Sequence, residues 1–147
     1  MEIKIAARGE IRDIAQFQVD MAQESEGTVL DIDTLIPGVT AAVEDPVKGT
    51  YLVAKEGDRT IGSLMLTKEW SDWNNSYYWW IQSVYVSPGH RRKGVYRQLY
   101  AKAKEMARAD GATQIRLYVD KTNQQGLKTY QALGMHESHY LMYEEEL

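Results

Sequence analysis

The chain has 147 residues, of which 44% are hydrophobic and 26% charged, and a net charge of −4. That is one domain by length, large enough to bury a core, and too acidic overall for a general nucleic-acid binder. It has no cysteine, which excludes disulfides, thiolate metal sites and a cysteine nucleophile.

The three histidines, His90, His136 and His139, are too few and too scattered for a metal site, so no metal is expected. The start, Met-Glu-Ile-Lys-Ile, has no apolar signal segment, and no run approaches a bilayer span. The expectation is a cytoplasmic protein without a membrane partner.

Ile3, Ile5 and Ala7 alternate with polar neighbours, as in a short half-buried strand. Glu10 to Glu24 reads as a helix, with Ile11, Ile14, Phe17 (or Gln18) and Met21 at helical spacing, and Ser25-Glu26-Gly27 interrupts it. Asp31 or Asp33 can cap a second helix running through Val43, because Asp accepts from the free N–H groups of a first turn. Pro37 is expected near that helix's start, where a missing N–H is tolerated, and Asp45-Pro46 ends it.

Thr50 to Lys55 and Thr60 to Thr67 predict a hairpin about the turn Glu56-Gly57-Asp58-Arg59. Gly62 marks a bulge or a close approach. Trp70 to Asn75 reads as a loop, and Ser76 to Val86 as a long aromatic fourth strand. The spacing predicts a helix over Gly94 to Ala109, stopped by Gly111, then a strand over Gln114 to Val119. Asn123 to Leu133 predicts a last helix, closed by Gly134, and Tyr140 to Glu145 a closing strand.

One stretch organises the rest. Val84-Tyr85-Val86 ends a strand, Pro88-Gly89 breaks it, and Arg91-Arg92-Lys93-Gly94 leads into an apolar helical face of Val95, Leu99, Ala103 and Met106. Residues 89–108 hold seven Lys or Arg against one acid, leaving ten bases against twenty acids elsewhere. A basic island in an acidic chain points to a discrete anionic ligand. The N–H groups and dipole of a helix N-terminus beside three cations suit a pyrophosphate.

Val-Tyr-Val-Ser-Pro-Gly-His-Arg-Arg-Lys-Gly-Val resembles the acetyl-CoA-binding motif of the GCN5-related N-acetyltransferases, with Tyr96 where that family has a small residue. Asn123, Tyr130 and Leu133-Gly134-Met135 resemble its second motif, with Met135 for the usual Phe. The likeness runs from about residue 3 to the end. It implies a three-layer α/β/α fold, with a mixed, mostly antiparallel sheet splayed between strands 4 and 5, in a single N-acetyltransferase domain over 1–147.

The resemblance implies acetyl-CoA as co-substrate. Arg91, Arg92, Lys93, Gly94, Val95 and Tyr96 would hold its pyrophosphate, the backbone of Val84, Tyr85 and Val86 its pantetheine arm, and Asn123 would contact that arm. Tyr130 would protonate the leaving sulfur. Relatives often carry an acid on strand 4 where this chain has Gln82 and Ser83, so Glu24 ranks first for the base, ahead of Glu26, Glu69 and Asp72. By the same resemblance, Glu24 and Glu26 would lie where the fold borders the acceptor pocket. All four tryptophans fall within residues 70–80. Alternation puts Tyr78, Trp80 and Gln82 on one strand face and Tyr77, Trp79 and Ile81 on the other. They either pack the core or form an aromatic wall, centred on Trp80 and Gln82, for an amine acceptor that is a small molecule or peptide. Many relatives dimerise, so a homodimer is compatible with this reading, whereas a nucleic-acid partner is not expected. A non-catalytic acyl-CoA-binding or sensing domain is the alternative.

Overall fold

The computed structural model describes all residues from Met1 to Leu147. The chain forms two compact units, Met1–Leu117 and Tyr118–Leu147. The first holds a five-stranded sheet in the order β1-β2-β3-β4-β5. Its strands are β1 (Glu2–Ile5), β2 (Thr50–Glu56), β3 (Arg59–Ser71), β4 (Ser76–Val86) and β5 (Gln114–Arg116). β1 to β4 pair antiparallel, and β4 pairs with β5 in parallel. Three helices belong to this unit, α1 (Ile11–Glu26), α2 (Ile32–Glu44) and α3 (Val95–Ala109).

Register divides the sheet into two faces. Tyr51 and Val53 lie opposite Met65 and Ser63, and they pack with Ile11, Ile14 and Ala15 of α1 and Val39 and Ala42 of α2. Leu52 and Leu64 face the other way, and each is fully buried. That second face belongs to α3: a Cβ on Gly62 would stand 3.1 Å from a Val95 methyl and 3.1 Å from the Tyr85 carbonyl oxygen. Gly62 therefore marks a close approach, and the β2–β3 register also slips beside it, between Ala54 and Lys55.

Several boundaries differ from expectation. α1 continues through Ser25 and Glu26 and stops at Gly27, whose φ of 63° ends the helix. Asp31 caps α2 by accepting from the Asp33 N–H at 3.0 Å. Pro37 lies inside α2 rather than in its first turn, so it withholds one ladder donor. β3 extends to Ser71 because Tyr77 and Ser76 supply partners for Trp70 and Ser71, which shortens the expected loop.

β5 ends at Arg116 rather than Val119, and its ladder runs only from Tyr78↔Gln114 to Trp80↔Arg116. β4 goes on six residues further, so the two strands part beyond Trp80. The second unit has one helix, α4 (Gln124–Ala132). Tyr140 to Glu145 forms no strand. Four apolar or aromatic residues in a row there lack the alternation that ties one strand face to a sheet, and Leu141, Met142 and Tyr143 are exposed. No helix is long and apolar enough to cross a membrane.

Candidate active site

The basic turn opens onto α3. Gly94 is the N-cap of that helix, with a φ of 82° that few side chains tolerate. No side chain caps α3, so the N–H groups of its first turn keep the donor capacity that helix starts leave unused. Arg92 also has positive φ, at 61°, a conformation costing about 1 kcal/mol or more and typically kept where a site requires it. Arg92, Lys93 and Gly94 are exposed, and Arg92 and Lys93 make no ion pair. The Tyr96 ring stacks on Tyr100, one turn into α3, with centroids 6.1 Å apart. Val95 is buried against the sheet.

β4 carries a bulge that sequence alternation does not foresee. Met65 pairs with Gln82 but Ser63 with Tyr85, so β4 has one residue more than β3 over this span. Ser83, with φ of 54°, sits in the bulge. Strict alternation would put Val84 on the face of Trp80 and Gln82. The bulge puts Tyr85 there instead, on the side of α1, where its ring lies 5.1 Å from that of Phe17.

Tyr85 and Arg91 meet at Glu24, in the last turns of α1. The Tyr85 phenol donates to Glu24 Oε1 at 2.7 Å, and Arg91 Nη2 donates to Oε2 at 2.7 Å. Arg91 Nε donates to the Val86 carbonyl at 2.8 Å, and its guanidinium lies 5.2 Å from the Tyr85 ring centre. Burial alone would raise the Glu24 pKa. The hydrogen bonds from Tyr85 and Arg91, with the Arg91 charge, outweigh that and hold it below the usual carboxylate range. Burial first, then the neighbouring carboxylate, push Tyr85 up to about 12. Thus Glu24 is an engaged anion here, and Arg91 is drawn to α1 rather than left beside Arg92 and Lys93. Glu26 is exposed one turn-fragment further on.

The aromatic stretch separates by burial. Trp79 is buried, and its indole N–H donates to Asp110 at 3.3 Å. Trp70 and Trp73 are exposed. Trp80 is half-buried, and its Nε1 donates to Glu69 at 2.9 Å. On the same face Gln82 donates to Thr67 at 2.8 Å, Glu69 pairs with Arg116 at 3.6 Å, and the Arg116 guanidinium lies 3.9 Å from the Tyr78 ring centre. Core packing therefore accounts for Trp79 alone. Glu69 and Arg116 belong to this polar wall; sequence ranked Glu69 only as a spare acid and missed Arg116, since their meeting depends on the β4–β5 register.

In the second unit, Asn123 is the N-cap of α4, its Oδ1 accepting from the Gly126 N–H at 2.9 Å. That leaves its amide N–H₂ to donate. Tyr130 is half-buried, and burial raises its phenol pKa. No cluster of His, Asp or Glu in the chain could hold a metal ion.

The acetyltransferase (GNAT) family model matches residues 12–135, and the chain belongs to that family of acetyltransferases. It is similar to a "possible acetyltransferase" from Clostridium difficile 630, with 41% identity over 99% of this chain and 97% of that one, at a TM-score of 0.93. At 15% identity and a TM-score of 0.81, it shares its fold with the ribosomal-protein-alanine N-acetyltransferase from Brucella melitensis biovar Abortus 2308, over 100% of both chains. The aminoglycoside antibiotic 6'-N-acetyltransferase from Acinetobacter haemolyticus is similar in fold at 18% identity and a TM-score of 0.77, over 100% of this chain and 99% of that one. No curated protein matches the chain.

Proposed function

We propose that residues 1–147 work as a single N-acetyltransferase domain, moving acetyl from acetyl-CoA to a primary amine of a small molecule or peptide by direct attack in a ternary complex. The observation that carries this reading is the opening of β4 from β5 beyond Trp80, leading into a basic turn and an uncapped helix N-terminus. Strand backbone without a ladder partner suits an amide-bearing arm, and the turn beyond it suits a pyrophosphate.

In this mechanism Arg91, Arg92, Lys93 and the N–H groups of Gly94, Val95 and Tyr96 hold the pyrophosphate. Backbone groups of Val84 and Tyr85 hold the arm and polarise the thioester carbonyl, with Val86 contributing once Arg91 releases its carbonyl. Asn123 donates to the arm through its amide. The amine nitrogen bonds to the carbonyl carbon, the carbon–sulfur bond breaks, and the departing thiolate takes the phenolic proton of Tyr130. Its raised pKa supports Tyr130 as an acid that stays protonated at neutral pH.

Glu24 accepts the proton that the amine loses. While Arg91 and Tyr85 hold it, its lowered pKa makes it a weak base, so this role needs the Arg91 contact to open. No cysteine is present to carry an acyl group, which favours direct transfer over an acyl-enzyme. The half-buried Trp80, Gln82 and the exposed Glu26, on the α1 side of β4, line the acceptor's approach. The carboxylates Glu24, Glu26 and Glu69 on that side favour a cationic acceptor. The two proteins of similar fold carry names with different acceptors, a ribosomal-protein alanine and an aminoglycoside antibiotic, so the acceptor is sought with a panel that includes both classes. A cytoplasmic setting fits a reaction fed by acetyl-CoA.

The test is release of free CoA thiol from acetyl-CoA over that panel. Release that depends on one amine, and falls at least tenfold in Tyr130→Phe, supports the enzyme. Acetyl-CoA binding without release on any amine supports the sensing alternative.

A further inference from the structure

The Glu24–Arg91 pair sits at the rim of the fold, with each side chain 43% exposed. It can open without disturbing the core. Arg91 has one ion-pair partner, Glu24, and it is the first of three consecutive cations whose other two have none. Besides that pair, its Nε donates to the Val86 carbonyl and its guanidinium lies over the Tyr85 ring. Tyr85 bonds Glu24 Oε1 while Arg91 bonds Oε2, so the two donors use different oxygens of the carboxylate.

We propose that Glu24 is a stand-in for the donor's phosphate: it holds Arg91 until acetyl-CoA binds, and Arg91 then passes to the pyrophosphate, which frees the Glu24 carboxylate for the acceptor's ammonium. The physical reason is competition for one guanidinium. A diphosphate carries more negative charge than a carboxylate and offers more acceptor oxygens for a forked donor. It arrives beside Arg92, Lys93 and the α3 N-terminus, which already favour it. The carboxylate is then released for the amine only once the donor has drawn Arg91 away. This inference rests on the acetyl-CoA reading of the turn and adds an internal competitor to it.

The experiment measures CoA affinity by titration calorimetry for the wild type, Glu24→Gln, Arg91→Gln and the double variant. Gln keeps an oxygen for Tyr85 but loses the charge that holds Arg91, and melting curves confirm that each variant is folded. Glu24→Gln is expected to bind CoA about two- to fivefold more tightly, the scale of a half-exposed ion pair. Arg91→Gln is expected to bind more weakly, and Glu24→Gln to have no further effect in that background. Equal or weaker binding by Glu24→Gln overturns the proposal, since Glu24 would then be neutral or would present Arg91 to the donor. A tightening that persists without Arg91 also overturns it. Wild-type protein that binds no CoA overturns the acetyl-CoA reading as well, which separates the two failures.

Discussion

Glu10 shows how one side chain ties local structure to stability. It is buried, and its carboxylate accepts from the Ala7 N–H at 2.9 Å and pairs with Lys4 at 2.7 Å and Lys55 at 3.6 Å. Burial alone would raise its pKa, but these partners together lower it. A carboxylate whose folded pKa is depressed contributes stability that is fully present above its unfolded value, near 4.5, and is lost as pH falls through the folded value. Glu24 is depressed in the same direction. The melting temperature should therefore hold from neutral pH down to about pH 5 and fall below that. Glu10→Gln should lower stability at neutral pH by about 1–3 kcal/mol, the cost of impairing a buried charge-assisted network, and flatten the acid limb. An unchanged acid limb in that variant would assign the loss to other carboxylates.

Trp80 and Tyr130 carry the functional predictions at the same scale. Trp80→Ala should raise the acceptor KM while sparing CoA affinity, because the ring lies half-buried on the α1 face and Trp79, not Trp80, fills the core. Loss of folding in Trp80→Ala would make the ring a packing residue instead. Tyr130→Phe should lower kcat and leave CoA affinity within about twofold, as expected of an acid that acts mainly in the transition state.

Among the elements, α3 and the strands beneath it carry the proposed donor site. Gly62→Ala would press a methyl group between the Tyr85 carbonyl and Val95, each 3.1 Å from the new atom. That should shift the start of α3 by a few tenths of an ångström and weaken CoA binding more than Leu99→Ala does. Leu99 is fully buried further along α3, and its truncation should cost about 2–5 kcal/mol of stability. CoA titration beside chemical denaturation of both variants checks the contrast, and equal effects of the two on affinity would contradict it.

The elements also divide by how far sequence reveals them. Pro88-Gly89, the three cations and Gly94 announce a strand–turn–helix because each acts locally, through φ, charge or a missing side chain. The bulge at Ser83 does not, since serine gives no local sign of positive φ and the extra residue shows only against the β3 register. The same holds for the end of β5, decided where β4 turns away, and for Arg91, whose contact with Glu24 joins positions 67 residues apart. Glu24 could be chosen as a candidate base only through the family likeness, which puts the end of α1 where the fold borders an acceptor pocket. That Arg91 and Tyr85 occupy it was not legible, because the bulge that turns Tyr85 toward α1 was not.

For the whole molecule, the net charge of −4 is unevenly spread, with seven of seventeen bases between residues 89 and 108. Attraction of a polyanionic donor to that island should be screened by salt, so CoA affinity should fall as ionic strength rises. Arg92→Ala should reduce that slope. The fold is that of the acetyltransferase family, whose model matches residues 12–135 and so spans parts of both units. The most direct test of the account is a titration of the intact chain with acetyl-CoA, followed in the same samples by thiol release on adding each amine of the panel. Saturable binding followed by amine-dependent release of one CoA per acetylated product is the predicted result. No binding of acetyl-CoA under any salt condition would contradict the account, leaving the family assignment to describe the fold without the reaction.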